Sequence, residues 1–101
     1  MTNLKVTIEM INGDEYLIKK ECINPNEYIK RMKKNLKTNE VIGIDEDYEY
    51  CSNDLVGYRT INATKEEPLL INASNILTIE FEYEKFIECF TKNHEVNKND
   101  Y

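Results

Sequence analysis

The chain contains no tryptophan, one histidine and only three glycines in 101 residues. The histidine, His94, lies in a polar C-terminal stretch, and no serine or cysteine has a base at an activating spacing. Glycines 13, 43 and 57 are too scattered to build a phosphate-cradling loop. A non-enzymatic protein, with no catalytic residue and no cofactor, is therefore expected. Cys22, Cys51 and Cys89 are odd in number and lack a C-x-x-C pair, so they read as reduced thiols in or near a core. Together with His94 they also lack the paired spacing of a zinc site. No apolar run approaches the roughly 18 residues of a membrane span. The N-terminus has no secretory h-region, which leads to the expectation of a soluble, cytoplasmic protein. Asn62-Ala-Thr and Asn72-Ala-Ser are then chance matches to the glycosylation pattern.

The net charge of −6 argues against a surface that grips nucleic acid throughout. Asn, Ile, Lys, Glu and Tyr are abundant, and AT-rich codons encode Asn, Ile, Lys and Tyr. That bias fits a low-GC bacterium, or a phage or mobile element of one. The length suits one domain with a single core, over residues 1–92, followed by a frayed polar tail over 93–101.

Residues 4–11 alternate, with Leu4, Val6, Ile8 and Met10 on one face and Lys5, Thr7 and Glu9 on the other. Asn12-Gly13 then predicts a type I′ hairpin turn into a second strand over 14–20. Asn24 is a good helix N-cap, Pro25 suits the first helical position and Glu27 sits where a capping carboxylate belongs. Tyr28, Ile29, Met32 and Leu36 fall on one arc of a helix over 25–37. A third strand begins at Val41 and turns acidic, Cys51–Asp54 reads as a loop, and 56–63 reads as a weaker strand. Strands over 69–72 and 76–83 flank a tight turn that Asn72, Ser74 and Asn75 favour through local hydrogen bonds. Leu77, Ile79, Phe81 and Tyr83 are expected on one face, and Phe86, Ile87 and Phe90 suggest a short helix to about 92. One core should unite Val6, Ile8, Leu17, Ile29, Met32, Ile44, Ile71, Ile79 and Phe81. The expected fold is mostly β with one helix. Its five or six antiparallel strands curl into a small barrel that hides both the apolar face and the edges.

Residues 70–81 resemble the second signature of Sm-like proteins. Leu70-Ile71 matches the apolar pair, Ser74-Asn75 the small polar pair, and Ile76 and Ile79 the β-branched strand, while Asn72-Ala73 stands where that family has Arg-Gly. The resemblance implies a small Sm-like or SH3-like barrel. Nucleic-acid binding is implied as a second functional reading, with the family's RNA-lining Arg-Gly replaced.

Charge is strongly segregated. Seven basic residues lie between Lys19 and Lys37 against Glu21 and Glu27, and six acidic residues with no basic one lie between Glu40 and Asp54. Asp45–Glu49 lacks the glycine and terminal glutamate of a calcium loop, so no metal is expected there. Tyr48, Tyr50 and Tyr58 are expected to be exposed. With Asp45, Asp47 and Glu49, Tyr48 and Tyr50 would form an acidic, aromatic patch suited to a basic protein partner. The alternative site is the helix face of Lys30, Arg31, Lys33, Lys34 and Lys37, which would contact phosphates. A ring-shaped homo-oligomer with these lysines converging on a pore would favour this second reading.

Overall fold

A computed structural model describes residues 1–52 and 57–90. Strand β1 (Thr2–Met10) leads through the Asn12-Gly13 turn into β2 (Glu15–Cys22). Of the turn residues only Gly13 takes a positive φ, +96°. The Gly13 amide donates to Met10 and the Met10 amide donates to the Asp14 carbonyl. This is a three-residue loop with glycine in the left-handed position, in place of the expected two-residue type I′ turn. The Asn12 side chain accepts from the Asp14 amide at 3.0 Å, which holds the loop from within.

Helix α1 (Pro25–Thr38) starts as its sequence dictates: Asn24 accepts from the Glu27 amide at 3.2 Å and Pro25 occupies the first turn. Strands β3 (Val41–Ile44), β4 (Tyr48–Cys51), β5 (Arg59–Ile61), β6 (Leu69–Asn72) and β7 (Ile76–Tyr83) follow. A single 3-10 turn at Ala73–Asn75 joins β6 to β7, and Asn72 caps it by accepting from the Ser74 amide at 3.1 Å. The last element, β8 (Phe86–Phe90), is a strand where helical spacing was expected. Glu84 adopts φ +52° in the two-residue link between the paired Tyr83 and Phe86, so the chain reverses and pairs along β7. The expected tail over 93–101 lies outside the described residues, as does the start of the weak strand at 56.

The described residues are mostly β with one α-helix, but their strands do not close. Six form an antiparallel sheet in the order β5-β4-β2-β1-β7-β8, with β5 and β8 as its edges. The expected third strand divides: β3 leaves to pair with β6 as a separate two-stranded sheet, and β4 returns to pair with β2. Helix α1 and the β3–β6 pair together cover one face of the large sheet. That covering removes the need to roll up, since the apolar face is already hidden.

The core between these layers holds Leu4, Val6, Ile8, Ile18, Ile79 and Phe81 from the large sheet. Ile29, Met32 and Leu36 come from α1, and Ile42, Ile44, Ile71 and Ala73 from the other layer. Two expectations fail here for register reasons. Val6 pairs with Ile18 and Thr7 with Leu17, so Ile18 is fully buried while Leu17 sits half-buried on the opposite face. A bulge at Leu77 shifts the register between Thr78 and Ile76, so Ile76 turns inward and Leu77 is 44% exposed.

Candidate functional site

The strand alternation sorts the acidic segment into three environments. Asp45 and Asp47 are exposed in the link between β3 and β4, while Glu46 is half-buried. Glu46 accepts from Lys20 at 2.9 Å and from the Tyr28 hydroxyl at 3.4 Å. Glu49 faces the uncovered side of the large sheet, 3.5 Å from Lys19. Tyr48, expected at the surface, is buried at 8% exposure, edge-on to Tyr16 with ring centroids 5.7 Å apart. Tyr50, two residues on, shares that inward face; it is half-buried, 5.2 Å from the Tyr16 ring, and its hydroxyl donates to Asp14 at 3.0 Å. Acidic neighbours in sequence suggest a surface patch, yet the strand pleat places both tyrosines on the core side. Tyr58 is exposed as expected, and its hydroxyl donates to Glu15 at 2.5 Å. That bond, with burial second, pushes the Tyr58 phenol up to about 12.

A larger acidic surface assembles from residues that are far apart in sequence. The register lines up Thr60, Glu49, Leu17, Thr7, Glu80 and Cys89 across all six strands. Beside them run Lys19, Lys5, Glu82 and Ile87 on one side, and Cys51, Glu15, Glu9 and Thr78 on the other. With Glu21 at the end of β2, this face carries six carboxylates against Lys5 and Lys19. Both lysines are already engaged, Lys5 with Glu82 and Lys19 with Glu49, each at 3.5 Å. No other layer covers this face among the described residues. Each strand alone reads as an ordinary polar half, so only the strand order brings the charges together.

The basic helix face also divides. Lys30, Lys34 and Lys37 form an exposed stripe at helical spacing. Lys33 is half-buried, ion-paired with Glu88 of β8 and 5.8 Å above the Phe90 ring. Arg31 is exposed and turns toward a cleft of about 410 Å³ between α1 and the chain from Gly43 to Glu46. Of the cysteines, Cys22 is buried, Cys51 half-buried and Cys89 exposed. Cys89 is thus at the surface rather than near the core, and burial pushes the Cys22 thiol up. No group of three or more metal-ligating side chains occurs among the described residues, and no helix there is long and apolar enough to cross a membrane. No family model, no curated protein and no solved structure matches the chain.

Proposed function

We propose that this is a non-enzymatic accessory protein that acts by docking a basic partner protein on its acidic sheet face. One observation carries the reading: six carboxylates and two engaged lysines share an uncovered face of a six-stranded sheet. Asp45 and Asp47, exposed in the link between β3 and β4, add two further carboxylates to the exposed surface. Tyr48 plays no part as a contact, and the exposed tyrosine among the described residues is Tyr58. Charge patches of this kind chiefly accelerate encounter and select partners of opposite sign.

Capture of partners from the native host, with association kinetics on the recovered protein, tests this. Changing Glu9, Glu49 and Glu80 together to Gln should slow association and flatten its salt dependence, since screening acts over a Debye length of about 8–10 Å. Changing Asp45 and Asp47 to Asn should have a smaller effect of the same sign. Equal recovery and equal rates for all three proteins at low salt would show a merely solvated surface.

The second reading, a nucleic-acid-binding module of Sm-like type, draws on the exposed stripe of Lys30, Lys34 and Lys37. It loses Lys33, which is committed to Glu88.

A further inference from the structure

Strand β3 has two lateral edges and uses one. The Ala73 amide donates to the Glu40 carbonyl at 2.8 Å, in register with the pairs Val41–Asn72 and Ile42–Ile71. Antiparallel alternation then points the backbone groups of Glu40, Ile42 and Ile44 toward β6. The N–H and C=O of Val41 and Gly43 point to the opposite edge, where no described backbone group bonds them.

Of that edge, Gly43 lines the cleft beside α1. Tyr28, Arg31, Met32 and Asn35 follow the i, i+3, i+4, i+7 spacing of one helix face and form one wall; Gly43 to Glu46 form the other. Only Asn39 and Glu40 link α1 to β3, so along the chain Asn35 and Gly43 lie nearest that link and Tyr28 and Glu46 farthest from it. Met32 and Ile44 supply apolar lining. At the end far from the link Lys20 and Tyr28 are both spent on Glu46. Arg31 has no ion pair among the described residues and stands exposed on the helix wall, a cation facing an unpaired strand edge.

We propose that this cleft takes an extended peptide segment of a partner as an added strand on β3, with a carboxylate of that segment paired to Arg31. Strand addition supplies hydrogen bonds that any sequence can make, and side-chain pockets supply the selectivity. Arginine suits the second role because its planar fork meets a carboxylate with two parallel bonds. Asp45 on the strand wall repels a second acid, so the segment carries its charge on the helix side. The volume of about 410 Å³ lies within the range of roughly 300–1,000 Å³ common to ligand clefts. This surface is separate from the acidic sheet face, and either can exist without the other.

The test pans random peptides with free C-termini against the full chain, then titrates the most enriched peptide by calorimetry and amide NMR. The expected peptide carries a carboxylate and slows exchange of the Val41 and Gly43 amides. Arg31→Gln weakens it by at least roughly tenfold. Gly43→Pro removes the free-edge donor, a change that edge strands tolerate. A Cβ at position 43 would meet Leu70 and Pro68 only at ordinary distances of 3.7 and 3.9 Å. Binding should therefore vanish in Gly43→Pro while the fold remains, and Arg31→Gln, at an exposed helix position, decides the matter should the proline disturb β3. Amidating the peptide C-terminus, against replacing its side-chain acids by amides, identifies which carboxylate Arg31 holds. The proposal is overturned by a library that yields no peptide sensitive to Arg31→Gln, or by shifts confined to the outer sheet face. The latter result would support the acidic-face reading alone.

Discussion

The Tyr28 hydroxyl donates to Glu46 at 3.4 Å, and Lys20 donates to the same carboxylate at 2.9 Å. Helix α1, strand β2 and the β3–β4 link therefore meet at one side chain. Lys20 Nζ also lies 5.6 Å from the Tyr28 ring centroid, so its charge sits over the phenol. The cluster fixes where the helix sits relative to the link that carries Asp45 and Asp47.

Alkaline stability follows from this cluster. Burial foremost, then the Glu46 charge, holds the Tyr28 phenol well above its ordinary value. A raised pKa means the native state keeps its proton more tightly than the unfolded chain does. The resulting stabilisation is full below the unfolded value of about 10 and is lost as pH rises beyond it. Tyr58, pushed up to about 12 by Glu15, adds to the same trend. Denaturant midpoints should hold steady to about pH 9 and then fall, with a shallower fall in Tyr28→Phe. Tyrosinate absorbance should show part of the tyrosines ionising only on unfolding; a single ordinary titration of an intact fold would contradict this.

Packing gives a sharper contrast. Ile18 is fully buried whereas its neighbour Leu17 is half-buried on the outer face. Ile18→Ala and Ile79→Ala should each cost about 2–5 kcal/mol, and Leu17→Ala about 1 kcal/mol or less. Urea denaturation of the three variants measures the difference. A larger loss at 17 than at 18 would mean that the register between β1 and β2 is wrong by one residue.

Local chemistry made much of the fold legible. Asn24-Pro25 fixed the helix start, Asn12-Gly13 the first reversal, and Asn72 to Asn75 the turn between β6 and β7. What failed depended on distance along the chain. Leu17 and Ile18 are both apolar, and only pairing with β1 decides which turns inward. The link at Glu84-Lys85 lacks glycine and asparagine, so the reversal into β8 carried no turn signal. Barrel closure depends on whether β5 meets β8, and no local pattern encodes that. The acidic face is not legible locally for the same reason: Glu9, Glu49 and Glu80 share one face only through strand order.

Thiol accessibility offers an independent check on the layers. Cys89 is exposed on β8, Cys51 is half-buried and Cys22 is buried with its thiol pushed up by burial. Thiolate is the reacting species, so burial and a raised pKa both slow attack. An aromatic disulfide reagent should modify Cys89 first, Cys51 more slowly and Cys22 last, and denaturant should bring the three rates together. A fast Cys22 in the native protein would mean that the end of β2 is not buried in the core.

The basic helix face separates structural from functional lysines. Lys33 lies against Glu88 and Phe90, with about 29% of its side chain exposed, and ties α1 to the edge strand β8. Lys33→Ala should cost about 1 kcal/mol through the lost pair and the lost packing of its stem. Changing Lys30, Lys34 and Lys37 together to Gln should leave stability within about 0.5 kcal/mol at each exposed site. If these three met phosphates, affinity would fall linearly in log salt, and each substitution would lower the slope. Weak binding to single-stranded RNA and DNA is the expected result, because the six carboxylates of the sheet face repel the polyanion. Low-micromolar binding at physiological salt, lost in the triple variant and kept in Lys33→Ala, would reverse the ranking of the two functional readings. It would also make the lysine stripe, rather than the acidic sheet, the working surface.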